Sequence, residues 1–363
     1  MVIIKQKMLL IISYPNDYHV EAVVKYFTTA FASIHYLFWP HFPTQSRIAF
    51  QLFRHHNPNG YITFTNGDSF HLDEINVVWN RLIAQPQALQ TLSTDLRNHI
   101  NTEATSFMVT LDAYCPQASW LDPPNAVLIT NQKPRQLAVA KTLGLSIPDT
   151  VMGNNADALE SICSQHETLI IKSVVSKEYV SQPNFQERLQ FHLKQCFFRD
   201  PNSNPDEMRG PLLKTQVTPP QRVSAKQLQA KYSQLSLCPV IIQAYVPKAY
   251  ELRITVVGQK VFACRIDSPQ AHTPEAQVDW RLDIDNIPHS AHSLPDAIAQ
   301  KCLDLCRALG LQYGAIDMIV TPEGEHVFLE INPQGQWLWV QQRTGLPIAE
   351  AIADWLMHPP AGN

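Results

Sequence analysis

The sequence predicts a multidomain α/β protein, and three stretches carry that reading. Near the start, the apolar run Met8–Ile12 leads into the turn Tyr14-Pro15-Asn16-Asp17. Val20, Val23, Val24 and Phe27 then recur at helical spacing, and Ile34–Trp39 follows as a second extended run. That order is a β-α-β unit. In the middle, Pro134 in a first turn, the apolar face Leu137, Ala138, Ala140 and Leu143, and the stop at Gly144 mark a helix, and Leu169-Ile170-Ile171-Lys172 marks a short strand after it. Toward the C-terminus, Glu251–Val257 and Val261–Ile266 alternate around Gly258-Gln259 as a β-hairpin. Gly314–Val320 and Val327–Ile331 form a second strand pair around Pro322-Glu323-Gly324.

The remaining elements fall between these anchors. Tyr61–Phe64 and Ile75–Trp79 complete a small N-terminal α/β domain, residues 1–125, which ends at Asp122-Pro123-Pro124-Asn125. Thr130 is placed to cap the next helix, which puts Lys133 at a helix N-terminus. Residues 126–239 form a central domain. Its Val180 to Pro239 region is polar and interrupted by Pro201, Pro205, Pro211, Pro219 and Pro220, and reads as a helical insertion with loops or a mobile segment. Residues 240–363 form a C-terminal domain that begins with a strand, Val240–Val246. An amphipathic helix, Pro295–Leu309, stops at Gly310, and a last helix runs over Pro347–Leu356.

With 363 residues, 45% of them apolar, the chain can bury a sizeable core, and a net charge of -4 gives no broad basic field for nucleic acid. The seven cysteines are odd in number and contain no CxxC, which points to a reducing, cytoplasmic setting. Met8–Ile12 is far too short to span a bilayer, so no membrane anchor is expected.

The strongest chemical signal is Asp317 in GAIDMIV with Glu330 and Asn332 in FLEINPQGQ. In a strand residues two apart share a face, so Glu330 and Asn332 point the same way while Leu329 and Ile331 point to the opposite, apolar side. If the two strands pair, Asp317 lies beside them, and three hard oxygen donors suit Mg²⁺ with nucleotide phosphates as further ligands. The other reading, edge acids facing water, sits badly with the apolar runs around both carboxylates.

No Walker A and no GxGxxG is present, so isolated lysines, Lys133 and Lys172, are the candidates for phosphate contact. In the hairpin, Glu251, Arg253 and Thr255 alternate with Leu252, Ile254 and Val256, so Arg253 is available to hold an acyl phosphate or carboxylate through two parallel bonds. Arg265 joins it if the loop has an extra residue. A two-residue loop sets Arg253 opposite Cys264 and turns Arg265 to the other face. Arg281 in Asp279-Trp280-Arg281 is a third candidate for the same anionic site, and equally a surface arginine. Cys302 and Cys306 read as core packing, Trp337 and Trp339 as packing residues, and no GxSxG or cysteine-protease pattern supports covalent catalysis.

QAYVPKAYELRITVVGQKVFACRID, VDWR, GAIDMIV and FLEINPQGQWLWVQQRTGLPIAEAIADWL together resemble the ATP-grasp maturases of graspetides, the microviridin-type ligases. VVWNRL and WLDPPNAVLITNQKPRQLAVAKTLGLSIPDT resemble that family's N-terminal region, so the likeness covers nearly the whole chain. It implies an ATP-grasp fold: a pre-ATP-grasp N-terminal α/β domain, a central domain and a C-terminal antiparallel-sheet domain. It implies ATP and Mg²⁺ as cofactors, with Lys133 and Lys172 on the phosphates, and Gln243, Ala244, Tyr245 and Val246 as the hinge that holds adenine. Glu251 falls on the same nucleotide side. Asp317, Glu330 and Asn332 match the magnesium ligands, Arg253 the acyl-phosphate arginine and Arg281 a substrate-side arginine.

The implied activity transfers the ATP γ-phosphate to Asp or Glu side chains of a ribosomal precursor peptide, leader plus core, after which a hydroxyl or amine closes an ester or amide ring. A homodimer is implied as well. Two other readings stay open: a ligase that adds an amino acid to a peptide or protein, like the glutamate ligases, and a silent peptide-binding module. The Val180 to Pro239 region is the expected docking segment.

Overall fold

The computed structural model describes residues 7–27, 30–55, 58–81, 91–174, 178–181, 214–217, 220–230, 232–235 and 237–360. Much of the expected docking region therefore lies outside the described residues. The chain divides into two compact units, residues 1–148 with 246–363, and residues 149–245. Among the described residues no helix is long and apolar enough to cross a membrane.

The first unit opens with β1 (Lys7–Ser13), a helix (Tyr18–Val24) and β2 (Phe31–Phe38), then β3 (Ser46–Gln51), β4 (Asn59–Phe64), β5 (Ser69–His71), β6 (Val77–Asn80) and β7 (Ser119–Leu121). Strands β2-β1-β6-β7 form one parallel sheet, and β3-β4-β5 a small antiparallel one. The unbroken apolar run of β1 follows from that topology, because a parallel sheet is covered on both faces. Leu9 and Ile11 enter one core and Leu10 and Ile12 another, all four fully buried. Each contributes ~1.5–3 kcal/mol of apolar burial.

Two helices follow where the sequence suggests one: Pro124–Thr130 and Lys133–Thr142. Thr130 ends the first of them and does not cap the second, whose N-cap, Gln132, makes no side-chain cap bond. Lys133 nevertheless opens that second helix, and Gly144 follows it at φ +72°.

The second unit contains β8 (Thr150–Gly153), β9 (Thr168–Ser173), β10 (Glu178–Ser181), β11 (Lys214–Val217), β12 (Gln221–Ser224) and β13 (Val240–Ala244). Its main sheet runs β12-β9-β13-β8, all antiparallel, and buries Leu169 and Ile242 against Leu159, Ile162 and Leu228.

The first unit resumes with β14 (Tyr250–Val257), β15 (Lys260–Ile266), β16 (His289–His292), β17 (Tyr313–Val320) and β18 (His326–Asn332), an antiparallel sheet in the order β16-β15-β14-β17-β18. One face is mostly apolar. Leu252, Ile254, Val256, Ile316, Met318 and Phe328 pack there with Cys302, Leu305 and Cys306 of the helix Asp296–Ala308. The other face is graded. Val257, Tyr313 and Ala315 join a core with the last helix, Ile348–Met357, while Glu251, Arg253, Asp317 and Glu330 occupy its polar end.

Candidate active site

The polar end of that sheet is a row of charges in register. Arg253 stands opposite Asp317, and Asp317 opposite Glu330, across three neighbouring strands. Arg253 Nη1 donates to both carboxylate oxygens of Asp317 at 3.0 Å, with the two side chains only 8% and 13% exposed. Two carboxylates directly opposite one another repel, and here each is held by a cation. Lys133 Nζ lies 3.3 Å from Glu330 Oε2. Burial pushes the Asp317 carboxyl up, Arg253 opposes that shift, and Glu330 adds to it. Burial pulls the Arg253 guanidinium down, but Asp317, Tyr313 and Glu330 together outweigh it and the net shift is upward.

The row depends on a β-bulge. Asp317 pairs with Glu330 but Met318 pairs with Phe328, which leaves Leu329 as an extra residue. Phe328 and Ile331 both enter the apolar core, three residues apart, so the simple alternation read from the sequence holds for Ile331 and breaks at half-buried Leu329. Bulges bend a strand and increase its local twist, and this one immediately precedes Glu330.

Gln136 fixes the outer edge of β18. Its Nε2 donates to Thr130 O at 2.6 Å and Ile331 O at 2.8 Å, and its Oε1 accepts from Ile331 N at 3.0 Å. Phe328 N donates to Ser146 O at 2.8 Å on the same strand. Gln136 lies one helical turn beyond Lys133, so the helix that clamps Ile331 also sets the lysine beside Glu330.

After β18 the chain turns through Pro333-Gln334-Gly335-Gln336. Gln334 N donates to Asn332 Oδ1 at 3.1 Å, Tyr313 Oη to Gly335 O at 2.6 Å, and Arg253 Nη2 to Gln336 O at 3.2 Å. A Cβ on Gly335 would come within 2.6 Å of Arg253 Nη2 and 2.5 Å of Ala315 Cβ, so only glycine lets the guanidinium lie this close.

Glu251 is on the same face as Arg253 and pairs with Lys248 at 2.6 Å, and burial pushes its carboxyl up against the pull of Lys248. Arg281 binds Asp279 through Nε and Nη2 at 2.7 and 2.8 Å. That hydrogen bonding raises its pKa, and the charges of Asp317 and Glu330 raise it further, so the Arg281–Asp279 pair borders the same electrostatic field.

Arg265 does not join the row. The hairpin loop is the two-residue Gly258-Gln259, which sets Arg253 opposite Cys264 and Arg265 opposite Leu252, on the far face. There its guanidinium lies 4.0 Å over the Tyr250 ring and bonds Asp267. It is withdrawn as a catalytic candidate, because a strand residue one position out of phase faces the other way.

Of the candidates in the second unit, Lys172 stands opposite Ile241 and shares a sheet face with Gln243. Gln243 is buried and donates to Thr150 Oγ1 at 3.1 Å, Ala244 N donates to Asp149 O at 2.8 Å, and Arg222 lies 4.1 Å over the Tyr245 ring. Val246, half-buried, begins the return to the first unit.

The donor chemistry of the row fits a hard divalent cation: two carboxylates and the exposed Asn332 amide, already balanced by Arg253 and Lys133. Among the described residues no group of three His, Cys, Asp or Glu side chains is placed to hold a metal ion. The set here is two acids and an amide, a weaker ligand field that phosphate oxygens and waters would complete.

No protein-family model and no curated sequence matches this chain. Solved structures do. A RiPP-associated ATP-grasp ligase of Chryseobacterium gregarium, in complex with ADP and a leader and core peptide, superposes over 98% of this chain and 99% of its own at 24% identity, TM-score 0.77. The macrocyclase MdnC of Microcystis aeruginosa MRC, bound with precursor peptide MdnA, superposes over 96% of this chain and 99% of its own at 26% identity, TM-score 0.73. The chain has the ATP-grasp ligase fold. The ATP-grasp likeness extends to the macrocyclase MdnB of the same organism, at 26% identity and TM-score 0.70 over 97% of this chain and 99% of its own.

Four partners of the candidate residues escaped the sequence reading: Lys248, Gln136, Asp279 and Gln336. Lys248 and Glu251 are three apart, a spacing that could have suggested a pair. Asp279 and Arg281 are two apart and equally open to such a reading, whereas Gln136 and Gln336 act by long-range contacts to or from the backbone that leave no local pattern.

Proposed function

We propose that this chain is an ADP-forming ligase that activates Asp or Glu side chains of a ribosomal precursor peptide and closes them into ω-ester or ω-amide rings. The observation that carries the reading is the Arg253–Asp317–Glu330–Lys133 row, two acids and two cations at one end of an ATP-grasp sheet. The solved relatives are described with ADP, leader and core peptide, or precursor peptide, which supplies the substrate class.

In the first step the peptide carboxylate oxygen attacks the γ-phosphorus and ADP leaves. In the second a Ser/Thr hydroxyl or Lys amine attacks the acyl carbon and phosphate leaves, a net loss of one water per ring. Mg²⁺ held by Asp317, Glu330 and Asn332 would offset charge on the phosphates. Lys133 at its helix N-terminus and Lys172 would contact the phosphates and Gln243 to Val246 the adenine, and Glu251 is assigned to the nucleotide as well. Arg253, fixed by Asp317 and Gln336 O, offers a preorganised donor to the acyl phosphate, a charge that develops in the reaction. Arg281, oriented by Asp279, is assigned to the substrate carboxylates. By the same resemblance the enzyme works as a homodimer, and its cysteine usage fits a cytoplasmic setting.

The test is intact-mass measurement of a precursor peptide from the same gene neighbourhood, incubated with enzyme, ATP and Mg²⁺. Loss of whole waters, dependent on ATP, is expected. A gain of an amino-acid mass would replace the macrocyclase reading with amino-acid addition.

A further inference from the structure

Arg81, just past β6, is 4% exposed. A buried guanidinium is costly unless it is well paired, and its pairing with Asp17 is loose. Nε stands 3.6 Å from Asp17 Oδ2 and makes no hydrogen bond. The guanidinium fork is aimed instead at the turn after β18, with Nη1 3.5 Å from Gln334 O and Nη2 3.2 Å from Gln336 Oε1. Asn80 beside it donates to Asp122 O at 2.9 Å and receives Gln334 Nε2 at its own O and Oδ1, both 3.4 Å. Arg81, Tyr313, Gln334 and Gly335 together line a small recess beside the turn.

The same turn touches two residues of the charged row. It donates Gln334 N to Asn332 Oδ1 and offers Gln336 O to Arg253 Nη2. We infer that Arg81, with Asn80, is a positioning residue: it sets the 333–336 turn and thereby the direction of the Asn332 amide oxygen and of the Arg253 guanidinium. The inference rests on the ligase reading above, in which Asn332 is a metal ligand. Arg81 reaches the row through that segment, by way of Gln334 O and Gln336 Oε1.

The physics separates this role from a structural one. Removing one partner of a buried ion pair leaves the other charge uncompensated and costs stability, whereas the positioning role is read in metal affinity. Asp17 would keep its bonds from Ser13 Oγ at 2.7 Å and His19 N at 2.9 Å. Arg81→Met should therefore melt below the wild type yet still fold, and the folded protein should hold a metal poorly, because partners that orient ligands typically contribute 10–100-fold to metal affinity.

The experiment titrates Mn²⁺ into the full-length protein with saturating ADP and reads free Mn²⁺ by EPR. Arg81→Met should weaken Mn²⁺ binding by about tenfold or more, Arg81→Lys by less, and Gln336→Ala, which removes the fork's acceptor, by a similar factor to Arg81→Met. In an Asn332→Ala background Arg81→Met should add little, since both changes act on one ligand. Wild-type affinity in folded Arg81→Met overturns the inference, and should that variant not fold, wild-type affinity in Gln336→Ala does so. A wild-type protein that binds no Mn²⁺ with ADP overturns the ligase reading itself, and the inference with it.

Discussion

Gln136→Leu is the substitution whose effect the geometry defines best. β18 is an edge strand whose outer groups at Ile331 are buried under a helix, where water cannot reach them, and one glutamine amide serves both. Leucine has nearly the same size but removes three bonds, to Thr130 O, to Ile331 O and from Ile331 N. Each buried group left unmade costs about 1–3 kcal/mol, and the added apolar contact offsets part of that, so a loss of roughly 3–5 kcal/mol is expected. Urea denaturation followed by tryptophan fluorescence measures it. Gln136→Glu sharpens the test, because it keeps the acceptor for Ile331 N but sets a carboxylate oxygen against two carbonyl oxygens. Protonation of that glutamate restores a donor. The new carboxyl should have a raised folded pKa, and the variant's stability should be greatest at low pH and fall as pH rises through that value. A loss under about 1 kcal/mol in Gln136→Leu, with no pH dependence in Gln136→Glu, would refute the clamp.

Three further outcomes are expected. Gly335→Ala should lower turnover at least tenfold with little change in ADP affinity by calorimetry, because its Cβ displaces the Arg253 guanidinium; wild-type turnover would show that Arg253 has another position to work from. Glu330→Gln and Asp317→Asn should each weaken Mn²⁺ binding in the presence of ADP by at least tenfold, and unchanged affinity in both would remove the metal from this row. Burial raises the Asp122 carboxyl to about 8, against the pull of the backbone N–H groups of Tyr313 and Gln312. Its stabilising contribution is therefore full below pH ~4 and is lost as pH rises toward 8, at up to ~1.4 kcal/mol per pH unit. His19, whose pKa burial and Arg81 lower to about 4, has the opposite slope below neutrality. The difference between wild type and Asp122→Asn isolates the carboxyl, and should slope downward from pH 6.5 to 8 in urea denaturation. A flat difference would mean that Asp122 is already ionised at neutral pH.

Sequence periodicity made the C-terminal sheet legible because its strands are long, apolar and alternating, and because Gly258-Gln259 admits only a tight turn. Arg253 followed from that alternation, and Arg265 was lost by it once the loop length was known. The bulge at Leu329 could not be read, since an extra residue in a run such as HVFLEIN changes no composition signal. The segment after it misled in the opposite sense. Trp337 and Trp339 alternate like strand residues, yet Leu338–Thr344 is helical, with Trp337 buried against His19 and Trp339 against Trp280. Asp122 read as a linker residue ahead of two prolines. Its φ of +63° and its carboxyl, which accepts from Gln312 N and Tyr313 N at 2.8 and 2.9 Å, depend on a strand almost two hundred positions away, and no local window contains that information.

Leu329 has a consequence for how this protein can change length. Without it, Phe328 would be joined directly to Glu330, and the pairings Met318 with Phe328 and Asp317 with Glu330 would both survive in an ordinary ladder. A one-residue deletion there would be invisible to pairing and to the apolar pattern alike. What it would alter is direction, since the bent strand and its extra twist aim the Glu330 carboxylate. A homologue one residue shorter at this place could keep every charged residue of the row and still present them at a different angle.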